Sequence, residues 1–122
     1  VVKNADKKGF AEIAAEVNDL STRARAGKLI NADVKGGTFT ISNLGPFGIE
    51  QFDAIINAPE AAILAVGATQ LEAIPSDDGT IRSLPVMRMT LSADHRIVDG
   101  AVAARFMADL KTILEAPILI AY

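Results

Sequence analysis

The segment LSADHRIVDG, from Leu91 to Gly100, joins a predicted strand to a predicted helix and contains the only histidine in the chain. Apolar and polar residues alternate along the sequence that leads into it, as they do in a strand with one buried face. Asp99 and Gly100 stand before a run with helical spacing, and aspartate is a favoured residue at a helix N-cap. The segment therefore predicts a strand-to-helix turn that presents a histidine.

Two strands joined by a hairpin are predicted around this segment. The alternating strand runs from about Ser83 to Ala93, and a continuous apolar run from Ala61 to Val66 indicates a strand buried on both faces. Gly67 ends that run, and Gln70–Ile74 is a candidate continuation. The turn residues Pro75–Gly79 predict the hairpin. Gly67 has two interpretations, a site where another group approaches the backbone or a bulge in the strand.

Helices are predicted at both ends of the chain, from about Phe10 to Ala26 and from about Ala101 to Leu114. Leu29–Lys35 is predicted to be a connector, and Thr38–Ser42 a strand that leads into the turn Asn43–Gly48. The order helix, strand, strand, strand, helix is typical of an α/β or α+β domain, in which helices cover a mostly antiparallel or mixed sheet. The buried stripe of the second helix is predicted to contain Ala103, Phe106, Met107, Leu110, Ile113 and Leu114.

The composition argues against several classes of protein. The 122 residues are 50% hydrophobic and 22% charged, which indicates one globular domain, residues 1–122, or part of a larger one. The net charge of −3 and the scattered basic residues argue against nucleic-acid binding. Without cysteine and with a single histidine, neither a thiolate nucleophile nor a common metal site is expected. The longest apolar run, Ala61–Ala68, is too short to cross a membrane. The start at Val1 predicts a cut within a longer protein.

The opening segment supports two interpretations of its chemistry. A lone histidine is usually a structural side chain, and Asp99 is explained equally well as an N-cap. Alternatively, His95 is a general base toward a substrate thiol, since a thiol of pKa ~8.5 is only slightly ionised at pH 7. Acyl transfer would also need an oxyanion donor, for which a serine hydroxyl can serve. Ser42, at a strand end beside a glycine-rich turn, is either an element of such a site or a surface turn residue. A serine hydrolase built on Ser42, His95 and Asp99 is disfavoured because no nucleophile-elbow sequence surrounds the serine.

DHRIVDG, at residues 94–100, resembles the active-site signature of the dihydrolipoamide acyltransferases. These are the core subunits of 2-oxo acid dehydrogenase complexes and are related to chloramphenicol acetyltransferase. GGTFTISNLG, at residues 36–45, resembles the second signature of that family, in a form more like the pyruvate (acetyl) type than the 2-oxoglutarate type. The resemblance covers essentially the whole chain through KKG at 7–9, RARAGKL at 23–29, FG at 47–48, IIN at 55–57 and AILAVG at 62–67.

The resemblance implies a reaction and a site. His95 would take the proton from the thiol of CoA or dihydrolipoamide, Asp99 would hold the local geometry, and Ser42 would donate to the oxyanion. The residues implied to contact CoA are Ser42, Asn43 and Gly67. No covalent acyl-enzyme and no metal are implied, and the lipoyl group would come from a separate domain. The implied fold is like that of chloramphenicol acetyltransferase, with this chain as about the C-terminal half of the catalytic domain.

The resemblance also implies an assembly. Three chains would form a trimer with the active site between subunits, so that His95 of one chain faces Ser42 of its neighbour. Trimers would join into a larger core through the apolar tail Ile118–Tyr122, which could otherwise fold back on its own core. The implied partners are lipoyl domains and the decarboxylase and dihydrolipoamide dehydrogenase subunits, with no nucleic acid and no membrane. The expected location is the bacterial cytoplasm, or the mitochondrial matrix in a eukaryote. The alternative function is a catalytically incompetent core fragment that serves assembly.

Overall fold

The computed structural model describes residues 1–116 and 118, and the chain divides into two compact units at Thr38. The predicted tail, Ile118–Tyr122, therefore lies outside the described residues except for Ile118, whose side chain is exposed. Helix α1 spans Phe10–Arg25 and helix α2 spans Asn31–Val34, both in the first unit. The second unit contains strands β1 (Thr40–Asn43), β2 (Ala62–Pro75) and β3 (Ile81–Ala93) and helix α3 (Gly100–Glu115).

The first unit confirms the predicted first helix and corrects the predicted connector. Helix α1 ends where Gly27 takes a positive φ of 66°, as glycine does readily after a helix. The expected connector Leu29–Lys35 contains the short helix α2, because an Asp33 carboxylate oxygen accepts a hydrogen bond from the Ile30 backbone N–H at 2.9 Å. Arg23 binds the same carboxylate from α1, at 2.5 and 3.1 Å, and this pairing lowers the pKa of Asp33.

The second unit contains a mixed sheet in the order β1-β2-β3. Strand β1 runs parallel to β2, and β2 runs antiparallel to β3. The mixed sheet expected from the sequence is therefore confirmed, and so is the hairpin between its two long strands. The apolar run from Ala61 and its candidate continuation form one strand, β2, rather than two.

Strand β2 is the centre of this unit because it pairs on both edges and is buried near its N-terminal end. Ile63, Leu64 and Ala65 are 5%, 5% and 1% exposed. Helix α3 contacts β3, and the ring of Phe106 lies 6.0 Å from that of Phe39 at an interplanar angle of 51°. The buried core of the described residues is thus small and lies along one short stretch of β2.

The predicted buried stripe of α3 is only partly correct. Ala103, Met107 and Leu110 are half-buried, whereas Phe106, Ile113 and Leu114 are exposed. The 3.6-residue period identifies the apolar face of a helix, but it does not show whether another element covers the whole of that face. None of the helices in the described part of the chain is long and apolar enough to cross a membrane.

The burial of β2 makes a testable prediction for the full-length chain. Leu64→Ala is expected to lower the free energy of unfolding by about 2–5 kcal/mol, because it leaves a cavity in a well-packed strand. Leu71→Ala is the matched control on the same strand, where the side chain is 76% exposed and the expected change is within about 0.5 kcal/mol. Denaturant unfolding followed by circular dichroism measures both. Equal losses at the two leucines would contradict the burial described for β2.

Candidate active site

His95 lies in a short turn between β3 and α3 that Asp94 organises. The Asp94 backbone N–H donates to the Ala61 carbonyl at 2.8 Å, which continues the pairing of β3 with β2 by one residue. The Asp94 carbonyl then accepts from the backbone N–H groups of Ile97 and Val98, both at 2.9 Å. These bonds close the chain into a tight turn whose outer residue, His95, is exposed.

The Asp94 side chain closes the same turn from outside. Its carboxylate accepts from the Arg96 backbone N–H at 3.0 Å, and from the Arg96 guanidinium through Nε at 3.0 Å and Nη2 at 2.6 Å. The hydrogen bonds from the Arg96 side chain and backbone lower the pKa of Asp94 to about 2. The structure shows a pair that spans His95 and constrains the backbone on both sides of it.

Asp99 caps helix α3. Its Oδ1 accepts from the backbone N–H of Val102 at 2.8 Å, and its own backbone is extended at φ −79° and ψ 165°. The N-cap interpretation of Asp99 is therefore confirmed, and Asp99 fixes the point at which the chain leaves the histidine turn. No hydrogen bond joins the His95 imidazole to any side chain or backbone group within residues 1–116.

Ser42 and Asn43 are the last two residues of β1. In the parallel register they pair with Ala65 and Val66, so Ser42 stands beside the most buried residue of β2. The Asn43 side-chain oxygen accepts from the Gly45 backbone N–H at 2.9 Å, which forms the turn that follows the strand. The Ser42 hydroxyl makes no hydrogen bond within residues 1–116, so the turn is made by Asn43 and not by the serine.

Gly67 lies one residue beyond the partner of Asn43. It is buried, and the register of β2 with β3 shifts between Val66 and Thr69. The bulge interpretation of Gly67 is therefore confirmed. The group that approaches its backbone is part of this chain, because an added Cβ would lie 1.9 Å from the Glu50 carbonyl oxygen. Sequence reasoning missed Glu50, which lies in an irregular segment with no pattern of its own.

The structure thus forms two clusters from the predicted site residues. Ser42, Asn43 and Gly67 lie together, and His95 and Asp99 lie together. The residue before His95 pairs with Ala61, which is four residues before Ala65, the partner of Ser42. The backbone of Asp94 is therefore separated from that of Ser42 by four residues along a strand and two strand spacings across the sheet, a distance of roughly 16 Å. Within one chain, then, the histidine and the serine do not meet.

The chemistry of each cluster differs. The first presents a free serine hydroxyl at a strand end, which is a hydrogen-bond donor for an anion or a carbonyl oxygen. The second presents an exposed imidazole held by a constrained backbone, which suits proton transfer. Within residues 1–116 and 118, no three histidine, aspartate or glutamate side chains are grouped as metal ligands would be.

The chain is similar to one well-defined group of proteins. The family described as 2-oxoacid dehydrogenases acyltransferase (catalytic domain) matches residues 1–122. The acetyltransferase component of the mitochondrial pyruvate dehydrogenase complex of Schizosaccharomyces pombe is 50% identical over 120 residues, which are 97% of this chain and 25% of that protein. The corresponding protein of Rickettsia prowazekii is 46% identical over 119 residues, 98% of this chain and 29% of that protein.

Solved structures give the same similarity. A probable dihydrolipoamide acetyltransferase from Listeria monocytogenes superposes with a TM-score of 0.89 at 43% identity, over 94% of this chain and 49% of that one. The Azotobacter vinelandii dihydrolipoamide acetyltransferase, studied for the catalytic roles of a serine, a histidine and an asparagine, gives 0.86 at 39% identity, over 93% and 46%. A subunit of the cubic core of the pyruvate dehydrogenase multienzyme complex gives 0.85 at 39%, over 91% and 45%.

The turn that holds His95 makes the second prediction. Asp94→Asn keeps an acceptor oxygen but removes the charge that binds Arg96, so the backbone amides of Ile97 and Val98 are expected to exchange with solvent several-fold faster. Hydrogen exchange of the full-length chain, read by mass spectrometry, measures this. Asp77→Asn, on the hairpin between β2 and β3, is the control and should leave these amides unchanged.

Acidification of the wild-type chain should have the same effect. Because folding depresses the pKa of Asp94 to about 2, its contribution to stability is present above the ordinary carboxyl pKa of ~3.9 and is lost as the pH falls from there toward 2. The amides of Ile97 and Val98, corrected for intrinsic exchange, should lose protection in that window. Unchanged protection in the variant and across the window would show that Asp94 does not hold the turn.

Proposed function

The chain belongs to the 2-oxoacid dehydrogenase acyltransferase family, as part of its catalytic domain, and on that premise we propose that it transfers an acyl group between S-acyl-dihydrolipoamide and CoA. The observation that carries the proposal is the exposed His95 on the turn constrained by Asp94. The chain spans 25% and 29% of the two curated relatives described above and about half of the solved chains. The acyl group is proposed to be acetyl, in line with the pyruvate-type relatives.

His95 is proposed as the general base. Its imidazole accepts the proton of the incoming thiol, and the resulting thiolate attacks the carbonyl carbon of the bound thioester. Ser42 donates its hydroxyl hydrogen bond to the oxygen that becomes negative in the tetrahedral intermediate. When the intermediate collapses, the carbon–sulfur bond to the leaving thiolate breaks and His95 returns the proton to that sulfur. No acyl group is attached to the protein at any step.

The remaining site residues are proposed to bind CoA or to fix the position of the catalytic side chains. Asn43 uses its side-chain oxygen within its own turn, which leaves its amide N–H₂ free to donate to CoA. Asp99 acts through the cap of α3 and so fixes the direction in which His95 is presented. Gly67 is the third residue that the family resemblance places beside CoA, and the Glu50 carbonyl occupies the position that a Cβ on it would take.

The separation of the two clusters favours an active site shared between subunits. His95 of one chain and Ser42 of a second chain would form the site, as in a cyclic trimer with three equivalent interfaces. The Azotobacter enzyme supports the choice of residues. Its studied asparagine follows the studied histidine by four residues, which is also the distance from His95 to Asp99. Its serine precedes the histidine by 52 residues, against 53 between Ser42 and His95.

The wider assembly is proposed from the relatives. One solved relative is a subunit of a cubic core, so we propose that trimers of this protein join into a larger homo-oligomer. Lipoyl domains would deliver the acyl group, and the decarboxylase and dihydrolipoamide dehydrogenase subunits would bind the same complex. The location proposed is the bacterial cytoplasm or the mitochondrial matrix, because the relatives include a bacterial and a mitochondrial protein.

A second candidate is an assembly module without catalysis. It is favoured by the small buried core of the described residues. Such a chain would form oligomers and show no CoA-dependent acyl transfer. The activity of the wild-type full-length protein distinguishes the two candidates directly.

Mixing two inactive full-length variants tests the shared site. His95→Ala and Ser42→Ala are each expected to abolish most acyl transfer from acetyl-CoA to dihydrolipoamide. If the two are dissociated and reassembled at equal amounts, every mixed trimer contains one interface with both wild-type side chains. Random assembly then restores about a quarter of the wild-type turnover, by the symmetry of a closed ring. The reading is the rate of acetyl-dihydrolipoamide formation per subunit.

The controls separate the possible failures. Each variant reassembled with itself should stay inactive, which excludes an effect of the procedure. No activity in the mixture would place both side chains in one subunit and overturn the shared site. Near-normal turnover of His95→Ala alone would overturn the role of the histidine as general base.

A further inference from the structure

The bulge in β2 holds the most crowded glycine among the described residues, Gly67. Two residues, Gly67 and Ala68, stand opposite one residue of β3, Arg88. A Cβ on Gly67 would lie 1.9 Å from the Glu50 carbonyl oxygen, 2.7 Å from the Glu50 carbonyl carbon and 3.2 Å from the Arg88 carbonyl oxygen. All three atoms are backbone atoms, so they cannot rotate away as a side chain could. Only glycine fits this position.

The backbone that passes over Gly67 continues directly from Ser42 and Asn43. At one end of this loop, the Leu44 backbone N–H donates to the Val66 carbonyl at 3.1 Å. At the other end, the Ile49 carbonyl accepts from the Ala68 backbone N–H at 2.7 Å. The residues Leu44–Glu50, which we term the clamp loop, are therefore fastened to β2 on both sides of Gly67.

Two further contacts restrain the bulge, one from the clamp loop and one between the strands. Gly45 lies close to Gly67, because an added Cβ on Gly45 would be 2.9 Å from the Gly67 carbonyl oxygen and 3.0 Å from the Asn43 side-chain oxygen. On the other strand, the guanidinium of Arg88 binds both carboxylate oxygens of Glu72, at 2.5 and 3.1 Å. The β3 side of the bulge is thus held as well, and a larger residue at Gly67 can be accommodated only by moving the clamp loop.

We propose that Gly67 is a positioning residue, which sets the location of the Ser42 hydroxyl through the clamp loop. This inference rests on the proposed role of Ser42 and assigns Gly67 a different role from direct contact with CoA. Displacing Glu50 would pull on a loop of seven residues whose first member directly follows Asn43. A shift of the strand end by a fraction of an ångström misplaces the oxyanion donor, which has to meet a developing charge at 2.7–3.1 Å.

The two roles of Gly67 differ in the kinetic constant that they change. In the full-length chain, Gly67→Ala is expected to lower kcat for acetyl transfer about 10²-fold, the usual loss when one oxyanion donor is removed. The KM for CoA should stay within about twofold of the wild type, because no CoA contact is lost. A raised KM with an unchanged kcat would identify a direct contact with CoA and overturn the inference.

A double-mutant cycle with Ser42→Ala then tests the path of the effect. If Gly67 acts through the serine, the double variant has the same kcat as Ser42→Ala alone. If the factors by which the two substitutions lower kcat instead multiply in the double variant, the inference is overturned, because Gly67 then acts independently of the serine. If Ser42→Ala itself has wild-type kcat, the proposed oxyanion donor is wrong and the inference falls with it. If Ser42→Ala has a lowered kcat and Gly67→Ala has the wild-type kcat, the inference is overturned while the proposed role of Ser42 stands.

Two other glycines complete the experiment. Gly9→Ala is the matched control, because an added Cβ there meets nothing within 4 Å, and its kcat should equal that of the wild type. If Gly67→Ala fails to assemble, the same cycle is run with Gly45→Ala, which makes the milder contacts within the same clamp. That variant should lose kcat several-fold, and its loss should disappear in the Ser42→Ala background. A wild-type kcat for Gly45→Ala would overturn the inference.

Discussion

Strand β2 has to pair with two different neighbours at once, and the rest of the second unit depends on that constraint. From Ile63 to Val66 it has a parallel partner on one edge and an antiparallel partner on the other. Beyond Val66 the parallel partner has ended, and the bulge turns the Ala68 N–H to the clamp loop instead of to a strand. A backbone group that would otherwise be an unpaired donor at a sheet edge is thereby satisfied. The bulge thus marks the change from three strands to two.

The strand directions also determine how the site residues are distributed. Because β1 is parallel to β2, its last residues lie toward the C-terminal part of the apolar run. Because β3 is antiparallel, its last residue, Ala93, lies opposite Ala62, at the N-terminal end of the same run. A serine at the end of one strand and a histidine after the end of the other therefore lie toward opposite ends of the apolar run of β2. A mixed sheet that brought them together within one chain would need a different register.

Local features were predicted well from the sequence, because local chemistry determines them. The cap at Asp99 and the hairpin after β2 follow from residue type at a known position. The two interpretations of Gly67, a bulge and a close approach of another group, could not be separated from the sequence, and the structure shows both at once. The separation of the two clusters was implied only by the family resemblance, because no residue pattern specifies which strands pair or in which direction. Glu50 was missed because its effect depends on a backbone carbonyl, which every residue has.

The same reasoning applies to the exposed apolar side chains. A chain that is 50% hydrophobic has only three apolar residues nearly fully buried in its described part, while Phe47, Ile55 and Leu71 are 78%, 91% and 76% exposed. Burying apolar area is worth about 25 cal/mol per Å², so each such side chain stabilises any contact that covers it. Phe47 belongs to the clamp loop itself, next to the strand end that carries Ser42. A subunit or chain segment that covered Phe47 would therefore stabilise the clamp loop, which Gly67 also contacts. Assembly would in that way be coupled to the position of the Ser42 hydroxyl.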